Sequence, residues 1–135
     1  MALTILFACV HNAGRSQIAA TLFNHYVDAS KARAVSAGTD PAQHVHPEVV
    51  TLMAARGFDL SGQRPQRLTD KLAQQAQWLI TMGCGDQCPV VPGARRDDWP
   101  LQDPKGQSPE TVDRIVNEID ARVRTLIAEN GWGKA

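Results

Sequence analysis

Two spacings of apolar residues alternate along this chain, one of strand length and one of helical period. LTILFA (3–8) is a continuous apolar run, as expected for a strand covered on both faces. Beyond a polar loop, Ile18, Leu22, Phe23 and Tyr26 recur at helical spacing and predict a helix over about 15–29. RAVSAG (33–38) reads as a second short strand. HPEVVTLMAARG (46–57) places Pro47 in a first helical turn and Gly57 where a helix stops. QWLITM (77–82) predicts a third strand, and DDWPL (97–101) a fourth that Pro100 confines to an edge or a strand end. The last element is the most regular. Ser108 can cap, Pro109 follows, and Val112, Ile115, Val116, Ile119, Val123, Leu126 and Ile127 form one stripe before Gly131. Strands alternating with helices predict an α/β fold with a parallel sheet covered by helices on both faces. Ligands of such sheets bind at the carboxyl ends of the strands, where Cys9 falls.

Composition narrows the function classes. A length of 135 residues predicts one domain over 1–135. Fourteen basic and fourteen acidic residues leave a formal charge of zero, so no basic field is available to hold nucleic acid or an anionic membrane, and an anion must be held locally. No apolar run approaches the roughly 20 residues of a membrane span, and MALTILFACV lacks both a basic leader and a small-residue cleavage site, so the expected location is cytoplasmic. Three cysteines, an odd number, argue against a structural disulfide framework and for a metal, redox or catalytic use.

The stretch CVHNAGRS (9–16) carries the candidate chemistry. Cys9 and Arg15 stand as C-x5-R between an apolar strand and an amphipathic helix. The backbone N–H groups from Val10, His11, Asn12, Ala13 and Gly14 to Arg15 and Ser16 can form an anion nest at the positive end of the helix. Arg15 offers a planar fork that matches two oxygens of a tetrahedral anion. Ser16 can donate to the Cys9 sulfur, Asn12 tolerates a left-handed backbone, and Gly14 permits a tight turn. The positive surroundings favour the thiolate, the nucleophilic form. An isolated C-x5-R is equally a buried strand-end cysteine followed by a surface arginine; its place between strand and helix favours the chemical reading.

CVHNAGRS, SAGT (36–39) and Asp103-Pro104, in this order over nearly the whole chain, resemble the low-molecular-weight protein tyrosine phosphatase superfamily. More narrowly, TMGCGDQCP (81–89) followed by DDWPLQDPKG (97–106) is similar to the arsenate reductases built on that fold, of the thioredoxin-coupled type. The resemblance implies a three-layer, flavodoxin-like, four-stranded parallel sheet, with Cys9 as nucleophile, Arg15 as oxyanion clamp and Asp103 as general acid. Taken alone, Asp before Pro is also a common turn signal. Cys84 and Cys88 are separated by three residues, a narrower gap than in well-known thioredoxin-coupled members. Ala20 occupies the position where some members carry a glutamate associated with potassium, so no metal and no cofactor is carried over.

Chemistry favours the reductase over the phosphatase. A phenol substrate needs aromatic walls, and Lys105 and Gly106 follow Pro104 where phosphatase relatives carry aromatic residues. Reduction of arsenate needs two electrons, which the paired thiols Cys84 and Cys88 can supply. Gly83 and Gly85 give that segment backbone freedom, and a coiled path would bring the two Cα atoms to roughly 6 Å, within disulfide range. The implied sequence is attack of Cys9 on arsenate, displacement by Cys84, and closure to a Cys84–Cys88 disulfide reduced by thioredoxin or a low-molecular-weight thiol. Phosphate and sulfate are the expected competing anions. Alternatives are a phosphatase for phosphotyrosine or small phosphomonoesters, a non-catalytic oxyanion binder, structurally indifferent cysteines, and a zinc site adding His44 and His46 to Cys84 and Cys88. His46 reads more simply as a helix-start residue, with the histidines solvated. Arg95 and Arg96 can assist docking of an acidic reductant or be a solvated pair.

Overall fold

The computed structural model describes residues 2–83 and 93–134. Strand β1 (Leu3–Cys9) is the axis of the fold, with every residue from Thr4 to Cys9 buried. It runs parallel to β2 (Ala32–Gly38) on one side and β3 (Trp78–Thr81) on the other, and β4 (Arg95–Asp98) extends the sheet beyond β3, giving the order β2-β1-β3-β4. Because the chain winds first to one side of β1 and then to the other, the carboxyl end of β1 is the switch point of the sheet, where a crevice opens.

The continuous apolar run of β1 is explained by its two covered faces. Ile5, Phe7 and Cys9 face a large core shared with α1 (Arg15–Tyr26), α2 (Pro47–Ala55) and α4 (Pro109–Asn130). Leu6 and Ala8 face a smaller one that includes Ala73 of α3 (Asp70–Gln74). The predicted three layers are therefore present, with one thin side. All seven residues of the α4 stripe are buried, each contributing about 1.5–3 kcal/mol relative to exposure. Ser108 caps that helix through Thr111 N–H, and Gly131 ends it at φ +68°. Among the described residues no helix is long and apolar enough to cross a membrane.

Three boundaries differ from the sequence pattern. Helix α1 stops at Tyr26 and not near 29, because Val27 turns extended to bridge Gly133 and Asp28 gathers the N–H and hydroxyl of Ser30 into a turn. Helix α3 has no counterpart in the prediction: Thr69 caps it through Leu72 N–H, and five residues are too few to show a period. The fourth strand lies at Arg95–Asp98 and not 97–101. Its four side chains are exposed, so only backbone pairing to β3 defines it. Trp99 and Leu101 leave the sheet for the core, where the Trp99 ring centre is 5.5 Å from that of Phe7.

Candidate active site

The loop after β1 is held by its own carbonyls. The oxygens of Cys9, Val10, His11 and Ala13 accept from Thr39, Asp40, Ala42 and His46 N–H at 3.2, 2.8, 3.0 and 2.9 Å, so the segment after β2 braces the loop from outside. Asn12 O accepts from Gln17 Nε2 at 3.1 Å, and Gly14 O takes the helical bond from Ile18 N–H at 3.0 Å. In a trans peptide the oxygen and the next N–H point in opposite directions, so each tethered oxygen turns one N–H toward the loop interior. There the orphan donors of the first turn of α1 join them. Gly38 permits this brace: a Cβ on it would sit 2.5 Å from Val10 O and 2.9 Å from Asn12 N.

Cys9 is buried, and its Sγ lies 3.3 Å from Asn12 N–H and 2.9 Å from Ser16 Oγ. The direction of the second bond follows from the network behind it. Asn12 adopts φ +50°, as its residue type allows, and its Oδ1 accepts from Gln66 N–H at 3.0 Å and Gln17 Nε2 at 3.2 Å. That orientation aims Asn12 Nδ2 at Ser16 Oγ, 2.7 Å away. An amide N–H only donates, so the one proton of Ser16 is directed to the Cys9 sulfur.

Arg15 extends beside the loop with its side chain 12% exposed. Nη1 donates to Leu101 O at 3.0 Å, and Nη2 lies 3.8 Å from Asp103 Oδ2. Asp103 makes the turn that Asp-Pro suggests, its Oδ1 accepting from Lys105 N–H at 3.0 Å, while Oδ2 faces the guanidinium. Cys9, His11, Ala13, Gly14, Arg15, His46 and Asp103 line one cavity of about 10 Å³. It has room for about one water-sized group, and among the described residues its lining holds the imidazoles of His11 and His46 but no Phe, Tyr or Trp.

One expectation needs correction. His46 caps the start of α2 as predicted but is not solvated. Its residue is 9% exposed, and a Cβ on Gly14 would lie 3.4 Å from His46 Cδ2 and 2.8 Å from Pro104 Cγ. Gly14, at φ −143°, thus serves a close approach of Pro104 and His46. Burial holds His46 below the ordinary 6.5, opposed by the nearby Asp103 and Glu48 carboxylates. Val10 contributes its carbonyl and packs its side chain on the smaller core, outside the cavity. His44 is exposed. On β4, Arg95 stacks 4.4 Å over Trp78 and Arg96 lies 3.5 Å from Asp98. Cys84 and Cys88 lie outside the described residues. Sequence reasoning missed Leu101 O, which any residue could supply, and the placement of Gly83 against Arg15.

A thiol with two donors on it, set below inward N–H groups, a guanidinium and a carboxyl, can receive a tetrahedral oxyanion, attack its centre and protonate a departing oxygen. The model of the low molecular weight phosphotyrosine protein phosphatase family matches residues 4–131. A glutaredoxin arsenate reductase of Synechocystis sp. is 33% identical over 128 residues, 93% of this chain and 96% of that protein. Arsenate reductase 1 of Bacillus cereus is 32% identical over 132 residues, 95% and 96% of the two chains. Among solved structures, a thioredoxin-dependent arsenate reductase of Corynebacterium glutamicum superposes with a TM-score of 0.80 at 41% identity. The match covers 94% of this chain but 61% of that one, which is the longer protein. With its fold and nearly its whole length shared, the chain belongs to the low molecular weight phosphotyrosine protein phosphatase family and stands among that family's arsenate reductases.

Proposed function

We propose that this protein reduces arsenate to arsenite, with Cys9 as nucleophile, Arg15 and the loop N–H groups as the anion seat, and Asp103 as general acid. The observation that carries the reading is the Cys9 sulfur in one cavity with the Arg15 guanidinium and the Asp103 carboxyl, so that nucleophile, anion clamp and proton source share one site. Attack of the thiolate on arsenic forms an S–As bond, and a departing oxygen takes a proton from Asp103 and leaves as water. Cys84 then attacks the Cys9 sulfur. The S–As bond breaks with its electron pair on arsenic, giving arsenite and a Cys9–Cys84 disulfide, and Cys88 displaces Cys9 to leave Cys84–Cys88. Two thiols are oxidised and arsenic gains two electrons.

A Cys84–Cys88 disulfide calls for a dithiol protein, so thioredoxin is the proposed reductant, and phosphate and sulfate compete with arsenate for the seat. This assignment places the enzyme in the reducing cytoplasm and in arsenic detoxification. The phosphatase alternative is disfavoured because Lys105 and Gly106 follow Pro104 and, among the described residues, no Phe, Tyr or Trp lines the cavity to stack a phenol. Steady-state arsenate turnover with thioredoxin and its reductase, run beside glutaredoxin with glutathione and beside p-nitrophenyl phosphate hydrolysis, tests the reading. Arsenate turnover strongest with thioredoxin is expected. Ester hydrolysis without arsenate turnover in either thiol system would overturn it.

A further inference from the structure

We propose that Gly83 is a positioning residue for Arg15: its bare backbone is the surface on which the guanidinium is seated in the geometry that receives the anion. The inference rests on the reading of Arg15 as the anion clamp and assigns a role to a residue whose sequence signal was only conformational freedom.

Strand β3 ends at Thr81, opposite Ala8, and Met82 N–H still bonds to Ala8 O at 2.7 Å. This register carries the next residue, Gly83, alongside the loop that follows β1. Gly83 takes φ +96°, and a Cβ built on it would collide with Arg15 Nη1 and lie 3.1 Å from Cζ and 3.3 Å from Nη2. Nη1, Cζ and Nη2 of the guanidinium therefore rest against a position that carries no side chain. Leu101 O fixes Nη1 from the side at 3.0 Å, and Asp103 stands 3.8 Å from Nη2. A floor, a lateral acceptor and a carboxylate together set the plane of the fork, and a fork is useful to an oxyanion only in one plane.

The collision decides what a substitution would do. The guanidinium is the far end of a flexible side chain, so it moves while the backbone stays, and the loss falls on anion binding more than on folding. Gly93 provides the comparison. It lies on the other side of the 84–92 segment, has φ +85°, and a Cβ there meets nothing within 4 Å among the described residues. Replacement at Gly93 thus carries similar backbone strain without touching Arg15. Cys84 is the residue after Gly83, so the chain that seats the clamp leads directly into the proposed relay.

Titration of the reduced protein with inorganic phosphate by calorimetry, with urea unfolding in parallel, tests the inference. Gly83→Ala is expected to weaken phosphate about tenfold or more, the scale of a misaligned charge-assisted contact. Gly93→Ala should stay within twofold at a comparable loss of stability. Gly83→Asn adds the same Cβ on a residue type that tolerates positive φ, and is the variant to read if the alanine protein does not fold. Equal weakening by Gly93→Ala, or wild-type phosphate affinity in folded Gly83→Ala or Gly83→Asn, overturns the role of Gly83. Arg15→Ala separates this from the parent reading. If it loses phosphate while the Gly83 variants keep it, the clamp stands and Gly83 is dispensable; if it binds phosphate normally, the clamp itself is wrong.

Discussion

Changing one buried atom, in Asn12→Asp, should disarm Cys9 without dismantling its loop. The side-chain oxygen of Asn12 is pinned by Gln66 N–H and Gln17 Nε2, so the substituted atom is the nitrogen that donates to Ser16 Oγ at 2.7 Å. A carboxylate oxygen there only accepts, and it draws the Ser16 proton away from the sulfur 2.9 Å on the other side. Loss of one hydrogen bond to a charged group costs about 1.5–3 kcal/mol. At 1.36 kcal/mol per factor of ten, thiolate reactivity should fall about 10- to 150-fold. Alkylation by iodoacetamide at neutral pH, in a background carrying Cys84→Ser and Cys88→Ser, reads this with an uncharged reagent that the new carboxylate does not repel. Ser16→Ala removes the same bond without adding a charge and should show the smaller loss, and the double variant should lose little more than Asn12→Asp. Unchanged alkylation in either single variant, or additive losses, would refute the directed proton.

Asp103→Asn should slow adduct formation by about 10²–10⁴, the range for acid–base groups, while phosphate affinity barely changes; collapse of phosphate binding would make Asp103 a shaping residue and not the acid. Cys88→Ser protein should complete one turnover, release one arsenite and trap Cys9–Cys84, whereas Cys84→Ser should stall at the adduct without added small thiols. Peptide mapping checks this, and full multiple turnover of both variants with thioredoxin would refute the relay. His46 is held below 6.5 chiefly by burial, so below that pH the unfolded chain binds the proton more readily than the native one. Stability from this residue is therefore complete above about pH 6.5 and is lost as pH falls through the window below it. His46→Gln should flatten that part of the urea-stability profile, and an unchanged slope would show that His46 does not titrate differently on folding.

How far the sequence could be read depended on what each element is made of. β1 and α4 declare themselves because they are buried by apolar side chains, on both faces and along one stripe respectively. β4 does not, because Arg95–Asp98 is a strand only by its backbone, and the apolar residues that suggested 97–101 belong to the plug that follows it. At the site, the residues from Cys9 to Ser16 and Asp103 are legible as chemistry along one stretch or as a familiar dipeptide. His46 and Gly83 are not, since the burial of one and the contact of the other exist only once Gly14 and Arg15 are folded against them.

Each peptide oxygen from Cys9 to Gly14 has a separate addressee: Thr39, Asp40, Ala42, Gln17, His46 and Ile18. A turn wired in this way has a fixed length. One residue added between Cys9 and Arg15 would put every later oxygen opposite the wrong donor, so a single insertion would disrupt several anchors together, unlike the usual tolerance of surface turns. The five-residue interval between thiol and arginine is thus set as much by the scaffold outside the loop as by the anion within it.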